Sequence, residues 1–219
     1  MSIAYLFDFD GTLVDSMPTY ASSMLRILDE NGISYGDDLV KIITPLGLPG
    51  TVKYFKNELG MKLPEDQLLK LMEKYLLDAY FHSIPAKSNV ISVLKELKKR
   101  GTSLNVLTAS PHITLDACLK RLGMWDLFEN IWSCDDFNTT KADPDIYVQA
   151  ACRLNTTVDQ VLFLDDNLNA DKTAKSAGML TCGVYDASSD EYVEEIKAAT
   201  DFYIYDFAEL LELEINKKA

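Results

Sequence analysis

The chain has 219 residues, of which 47% are apolar and 25% are charged, and its formal net charge at pH 7 is −13. These proportions are typical of a globular protein and exclude extensive disorder. The acidic excess argues against nucleic acid and anionic membranes as partners, because neutralising their phosphates requires a surface rich in Lys and Arg. A small anionic substrate remains compatible with this charge, because one local cation suffices to bind it.

The cysteine pattern and the lack of long apolar runs predict a cytoplasmic protein with free thiols. The four cysteines form no C-x-x-C pair and the chain has two histidines, so a structural zinc site is not expected. No apolar run approaches the roughly 18 residues that a membrane span requires. The first five residues lack the basic start of a secretory signal. We therefore expect neither a membrane span nor export.

The first predicted element is a buried strand over residues 3–7, an apolar run that ends at Asp8. Beyond it, apolar residues recur at helical spacing, as Met24, Ile27 and Leu28 do, and glycines mark several helix ends. Residues 15–82 are therefore predicted to be helical, with no strand among them.

From Pro85 onward the pattern changes to alternating strands and helices, with strands predicted over residues 103–107, 130–133, 161–164, 180–184 and 202–204. This alternation is typical of a parallel sheet covered by helices. We therefore predict an α/β protein with a doubly wound, Rossmann-like parallel-sheet core formed by residues 1–14 and 83–219. A small α-helical domain, residues 15–82, is inserted after the first strand.

Polar side chains follow several of these strands, and ligands bind at the carboxyl ends of the strands in such sheets. The residues expected there are Asp8, Asp10, Thr108, Lys141, Asp165 and Asp166. An aspartate after a strand is commonly only a turn former or a helix cap. A cluster of four carboxylates with one lysine is less easily explained by turns and caps alone, because like charges at close range resist ionisation. A divalent cation resolves this conflict, and the oxygen ligands favour Mg²⁺ beside a bound anion.

These residue types suit transfer of a phosphoryl group. Asp8 and Asp10 can divide the work of nucleophile and general acid/base, since a carboxylate nucleophile can form an aspartyl-phosphate. Gly11 lets backbone N–H groups approach a phosphate closely. The Thr108 hydroxyl can donate to a phosphoryl oxygen, and Lys141 can neutralise charge shared by nucleophile and phosphate.

The motifs resemble those of the haloacid dehalogenase superfamily of Mg²⁺-dependent phosphohydrolases. The family's D-x-D-x-T motif matches residues 8–12, and its strand-end Ser/Thr matches Thr108. Its K-P-x-P-D motif matches residues 141–145 with the first proline lost, and its acidic pair before a helix ending in Ala-Gly matches residues 165–178. The inserted helices resemble the cap of the β-phosphoglucomutase and phosphoglycolate phosphatase branch.

The resemblance implies a role for each matching residue. Asp8 is the implied nucleophile, and Asp10 is the implied acid that protonates the leaving group and then activates water. Mg²⁺ is held by Asp8, Asp166 and the backbone carbonyl of Asp10, and whether Asp165 is a direct ligand stays open. The cap would close over the substrate and exclude water. The residues expected to bind substrate are Gly11, Thr12, Ala109, Ser110 and, from the cap, Gly47.

We therefore expect a phosphatase that acts on a small phosphorylated metabolite, of the sugar phosphate or phosphoglycolate type. A phosphomutase is the alternative, although Tyr20 stands where mutases of this branch usually carry a histidine, and residues 45–50 offer no Arg for a second phosphate. A non-catalytic receiver module phosphorylated on Asp is a more distant alternative. Receivers carry their acidic pair at the first strand, whereas here the pair at 165–166 follows a late one.

Overall fold

A computed structural model describes residues 3–214 of the chain. By their internal contacts these residues divide into two compact units. One unit takes in the chain as far as Asp15 and again from Pro85 onward, and the other is Ser16–Ile84. The first boundary between the units lies one residue later than the predicted one, and the second lies two residues later. None of the helices in the described range is long and apolar enough to cross a membrane.

The first unit contains a six-stranded sheet in which every neighbouring pair of strands is parallel. The strand order is β3-β2-β1-β4-β5-β6. The strands are β1 Ala4–Phe7, β2 Leu104–Thr108, β3 Asn130–Ser133, β4 Val161–Asp165, β5 Leu180–Val184 and β6 Phe202–Ile204. The predicted α/β fold class is confirmed. Because β1 lies between β2 and β4, the chain changes direction across the sheet there, which is where such folds bind ligands.

Nine α-helices lie within the described residues, alongside shorter 3₁₀ turns. Four belong to the second unit: α1 Met17–Glu30, α2 Leu39–Ile43, α3 Gly47–Asn57 and α4 Glu65–His82. The other five belong to the first: α5 Val90–Lys99, α6 His112–Arg121, α7 Asp145–Arg153, α8 Leu168–Ser176 and α9 Val193–Ala199. The prediction that the inserted segment is helical is confirmed.

Each unit has its own apolar core, as the hydrophobic patterns require. In the first unit the apolar runs of β1 and β4 are buried along their whole length, because helices cover both faces of a parallel sheet. In the second unit the apolar side of α1 packs in one cluster with Phe55 of α3 and Leu68 of α4. The sheet of the first unit therefore fixes the ends of its strands, where the candidate residues lie.

Candidate active site

Three carboxylates meet at the carboxyl ends of β1 and β4. Asp8 follows β1, Asp165 ends β4, and Asp166 comes next in the chain. Each offers an oxygen atom, and these atoms all lie within 4.8 Å of one another. Asp8 and Asp165 are buried and Asp166 is half-buried. The convergence predicted from the motifs is thus present for these three residues.

Strand pairing explains why Asp8 and Asp165 lie side by side. In the register of the two parallel strands, Phe7 is the partner of Leu164, so the next residue of each strand reaches the same edge. The backbone N–H of Asp8 donates to the carbonyl of Leu164 at 2.8 Å and carries the pairing one residue further. The carboxylates are therefore placed by backbone hydrogen bonds of the sheet, which makes the cluster a rigid one.

Lys141 is the one lysine among the predicted site residues, and its ammonium group lies in this cluster. Its Nζ donates to Oδ1 of Asp8 and to Oδ2 of Asp165 at 2.8 Å, and its side chain is 13% exposed. The buried hydroxyl of Tyr147 lies 3.1 Å from the carbonyl oxygen of Lys141 and so anchors the loop that carries the lysine. The prediction that Lys141 faces the carboxylates agrees with this geometry.

The balance of charge in the cluster perturbs its protonation. Burial raises the pKa of Asp8 to about 7, against the opposing effect of the Lys141 ammonium. Burial and the neighbouring Asp165 and Asp8 carboxylates raise the pKa of Asp166 well above its ordinary value. Burial alone would lower the pKa of Lys141, but Asp165 and Asp8 raise it above the ordinary value. When all three are ionised, the carboxylates outnumber the one fixed ammonium and carry an excess of negative charge.

This excess, with oxygen donors only, fits a hard divalent cation. Mg²⁺ takes one or two carboxylates from a protein and completes its shell with water and phosphate oxygens. Asp8 and Asp166 are suited to such an ion. Both oxygens of Asp165 are already engaged, Oδ2 by Lys141 and Oδ1 by the backbone N–H of Asn167 at 2.8 Å.

Asp10 has a separate set of partners. The hydroxyl of Ser110 donates to Oδ2 of Asp10, and the backbone N–H of Ser110 donates to Oγ1 of Thr108 at 3.1 Å. The loop after β2 is therefore linked to the loop after β1 by the side-chain hydrogen bond between Ser110 and Asp10. The side chain of Asp10 is not part of the three-carboxylate group, so three of the four carboxylates expected to converge do so. The family resemblance assigned the backbone carbonyl of Asp10 to the metal, and that assignment stays a prediction.

Gly11 and Thr12 contact Asp166. Gly11 has φ +75°, and a Cβ on it would lie 2.5 Å from Oδ2 of Asp166. The hydroxyl of Thr12 donates to Oδ1 of Asp166 at 3.3 Å. The N–H of Gly11 itself donates to the carbonyl of Val14 at 3.0 Å. This hydrogen bond closes the turn, and Gly11 leaves room for the acidic side chain. The assignment of Gly11 to substrate binding stays a prediction.

Two further predicted residues are placed by their elements. Ala109 directly follows β2 and is exposed. Gly47 opens α3 in the second unit with φ +62°, and its carbonyl accepts a hydrogen bond from the hydroxyl of Thr51 at 2.8 Å. Its assignment to substrate binding stays a prediction.

Motif matching missed two ionisable groups of the first unit. Lys87 donates to the carbonyl of Gly11 at 2.6 Å, although 76 positions of chain separate the two residues. Asp171 on α8 is fully buried, and neither of its carboxylate oxygens has a hydrogen-bond partner among the described residues. The one sequence signal for Asp171 is its position on the inward side of α8, beside Ala170 and Ala174.

Comparison with known proteins agrees with this geometry. A family model for haloacid dehalogenase-like hydrolases matches residues 5–184. The chain belongs to this family. It is 30% identical over 216 residues to a phosphoglycolate phosphatase of Colwellia psychrerythraea, with 94% of each chain covered. It is 26% identical over 178 residues to a phosphorylated carbohydrates phosphatase of Thermotoga maritima, covering 80% of this chain and 82% of that one.

Solved structures of this hydrolase family share its fold. The putative β-phosphoglucomutase of Thermotoga maritima superimposes with a TM-score of 0.84 over 100% of both chains, at 23% sequence identity. This likeness concerns the fold alone. The family model and the 30% identical relative confirm the expected family, and the likeness to the solved structure confirms the parallel-sheet architecture. A receiver module is left without support.

Proposed function

We propose that this phosphoric monoester hydrolase is Mg²⁺-dependent and acts on a small phosphorylated metabolite through a phosphate ester formed on Asp8. The observation that carries the proposal is the cluster of Asp8, Asp165 and Asp166 around Lys141 at the carboxyl edge of the sheet. Relatives named as phosphoglycolate and phosphorylated-carbohydrate phosphatases support the substrate class.

Asp8 serves as the nucleophile in this proposal. One of its carboxylate oxygens attacks phosphorus, the bond to the ester oxygen breaks, and the aspartyl-phosphate forms. Lys141 already donates to Asp8, so its charge sits beside the oxygens on which negative charge accumulates. Hydrolysis of phosphate monoesters is extremely slow without catalysis. Electrostatic stabilisation by fixed charges is therefore the main contribution expected of the site.

Asp10 is assigned the proton transfers. Its acid form gives a proton to the leaving ester oxygen, and its carboxylate then takes a proton from the water that attacks the aspartyl-phosphate. The water oxygen ends in inorganic phosphate, and Asp8 regains its carboxylate. The hydrogen bond from Ser110 orients the Asp10 carboxyl group, which suits a group that must reach two different oxygens in turn.

Asp8 and Asp166 are the residues we assign to Mg²⁺, together with the backbone carbonyl of Asp10. When bound, Mg²⁺ supplies the positive charge that the cluster lacks and that phosphoryl oxygens require. We assign Asp165 to holding Lys141, because both Asp165 oxygens are hydrogen-bonded within the protein. Thr108 and the residues after it are assigned to the phosphoryl oxygens.

We assign the choice of substrate to the helical unit, as a cap of the kind that the family resemblance implies.

We prefer hydrolysis to mutase chemistry because Tyr20 stands where mutases of this branch usually carry a histidine. Tyr20 is engaged inside the helical unit, where its hydroxyl is 3.0 Å from Oγ1 of Thr51. Incubation with β-glucose 1-phosphate and a bisphosphate primer, followed by analysis for an isomerised product, distinguishes the two activities.

A panel of phosphorylated metabolites, assayed with Mg²⁺ and with EDTA, tests the proposal. Asp8→Asn should abolish turnover of p-nitrophenyl phosphate, because an amide cannot form the ester. Asp126→Asn on the exposed surface is the matched control and should retain full activity. Full activity of Asp8→Asn, or wild-type activity that is indifferent to EDTA, would contradict the proposal.

A further inference from the structure

Lys87 is a second nearly buried lysine at the carboxyl edge of the sheet, outside the motifs. Its Nζ donates to the carbonyls of Gly11 at 2.6 Å and Tyr185 at 2.5 Å, and to Oδ2 of Asp186 at 3.0 Å. An ammonium group has three donors, so each of them has an acceptor. The side chains of Lys87 and Asp186 are 19% and 5% exposed.

These hydrogen bonds join three segments that are far apart in sequence. The Gly11 carbonyl belongs to the turn after β1, Lys87 lies in the segment leading into α5, and Tyr185 follows β5. The lysine itself is fixed at its base, because its backbone N–H donates to the carbonyl of Leu13 at 3.1 Å. Oδ1 of Asp186 is held from the opposite side by the N–H of Ser188 at 2.9 Å. The ammonium group therefore has a determined position.

The turn that Lys87 holds is the one that contacts Asp166. The Gly11 carbonyl is part of the peptide that joins Gly11 to Thr12, and both residues touch the Asp166 carboxylate. A rotation of this peptide would move the Thr12 hydroxyl and the Gly11 Cα relative to that carboxylate. Lys87 opposes such a rotation, because its hydrogen bond to the carbonyl fixes the plane of the peptide.

We infer that Lys87 is a positioning residue of the active site, which fixes the Gly11–Thr12 peptide against Asp166 with Asp186 as its counter-ion. The inference rests on the proposed function, in which Asp166 holds Mg²⁺. Lys87 has no role in proton transfer and does not touch the substrate. Its contribution is to keep the Asp166 carboxylate where the metal requires it, as groups behind metal ligands commonly do.

An ion pair of this kind is weak evidence of a stabilising role. Removing two charges from water is costly, and apolar residues of similar volume often replace a buried pair without loss of stability. What apolar residues cannot supply is a hydrogen bond to the Gly11 carbonyl. Folding and metal binding should therefore respond differently when the pair is replaced.

The test compares three variants of the full chain. Lys87→Met removes the ammonium and keeps most of the side-chain volume, and Lys87→Met combined with Asp186→Leu removes both charges. Lys95→Met is the control, because Lys95 is exposed on α5. Each variant is titrated calorimetrically with Mg²⁺ alone, melted in EDTA, and assayed for kcat and KM with p-nitrophenyl phosphate at saturating Mg²⁺.

For Lys87→Met the Mg²⁺ dissociation constant should rise about tenfold or more, the range seen when a group behind a metal ligand is lost. Its kcat should fall while KM stays within about twofold, because the substrate is not contacted. In the double variant the melting temperature in EDTA should return toward that of the wild type, while Mg²⁺ affinity and kcat stay low. Lys95→Met should match the wild type throughout.

Several outcomes would overturn the inference. One is wild-type Mg²⁺ affinity in Lys87→Met, and another is recovery of Mg²⁺ affinity together with stability in the double variant. Failure of both variants to fold would also overturn it, since the pair would then serve the fold. If the wild type binds Mg²⁺ but hydrolyses no phosphate ester, only the proposed function fails, and the Mg²⁺ titrations still decide the role of Lys87. A wild type that binds no Mg²⁺ would overturn both.

Discussion

Gly11 and Asp166 approach so closely that no side chain fits between them: a Cβ at position 11 would lie 2.5 Å from Oδ2 of the carboxylate. Gly11 also has φ +75°, a conformation that costs other residues roughly 1–2 kcal/mol. The glycine of the first motif is thus required by a residue 155 positions further along the chain, and its backbone contributes to the shape of the three-carboxylate cluster.

Gly11→Ala should therefore impair activity more than stability. The added methyl group displaces Asp166, and a shift of about 1 Å in a catalytic group can cost about 100-fold in rate. We expect at least that loss in kcat for p-nitrophenyl phosphate and a loss of about 1–2 kcal/mol in the free energy of unfolding. Gly32→Ala serves as the control, because Gly32 has φ +65° but no atom near its Cβ position. Equal kcat in the two variants would contradict the assignment.

The pair of Asp10 and Ser110 provides a graded test of the proton transfers. Asp10→Asn should lower kcat by about 10²- to 10⁴-fold, the range for loss of a general acid/base. Ser110→Ala removes one hydrogen bond worth about 0.5–1.5 kcal/mol and should cost up to about tenfold. Steady-state kinetics show which of the two variants loses more kcat. A larger loss in Ser110→Ala than in Asp10→Asn would show that the serine, and not Asp10, is the more important group.

Asp171 should make the protein less stable as the pH rises. Burial and the nearby carboxylates of Asp165 and Asp166 raise the pKa of Asp171 well above its ordinary value. The folded state then keeps a proton that the unfolded state has released. Stability from this group is complete below the unfolded pKa of roughly 3.9 and is lost as the pH rises through the folded pKa. We therefore expect Asp171→Asn to raise the melting temperature in EDTA more at pH 8 than at pH 4.5.

Asp126→Asn is the control for this pH dependence, because Asp126 is exposed. Asp8 and Asp166 also have raised pKa values, but both residues are unchanged in the two variants. A difference between the variants in the pH dependence of the melting temperature is therefore due to Asp171. A difference in melting temperature between Asp171→Asn and the wild type that is the same at every pH would contradict the prediction.

Mg²⁺ should stabilise the protein, and increasingly so at higher pH. An ion that binds only the folded state raises its stability by mass action, and it requires the ionised carboxylates. Burial raises the pKa of Asp8 to about 7, so protons compete with the metal below that pH. The rise in melting temperature on adding Mg²⁺ should therefore be small at pH 5.5 and larger at pH 8, and EDTA should abolish it. In Asp166→Asn the rise should be small at both pH values.

Much of the site was predictable because its residues follow apolar strands. The run before Asp8 and the run before Asp165 each indicate a buried strand, and strands of a parallel sheet end at one edge. Local pattern therefore sufficed to bring Asp8, Lys141 and the acidic pair into one hypothesis. The division of the chain into a sheet unit and a helical unit followed from the change of hydrophobic period near residue 85.

The particular partner of each side chain was decided by the tertiary structure. Sequence pattern does not specify strand order, and it is the position of β1 between β2 and β4 that pairs Asp10 with Ser110 and Asp8 with Asp165. Lys87 reaches Gly11 only because the segment before α5 runs beside the turn after β1. The sequence by itself determined which chemistry the chain carries, since apolar runs and the acids behind them are local features. Hydrogen bonds between distant segments decide which carboxylate oxygens remain available to a metal. These hydrogen bonds form only once the sheet has brought the segments together.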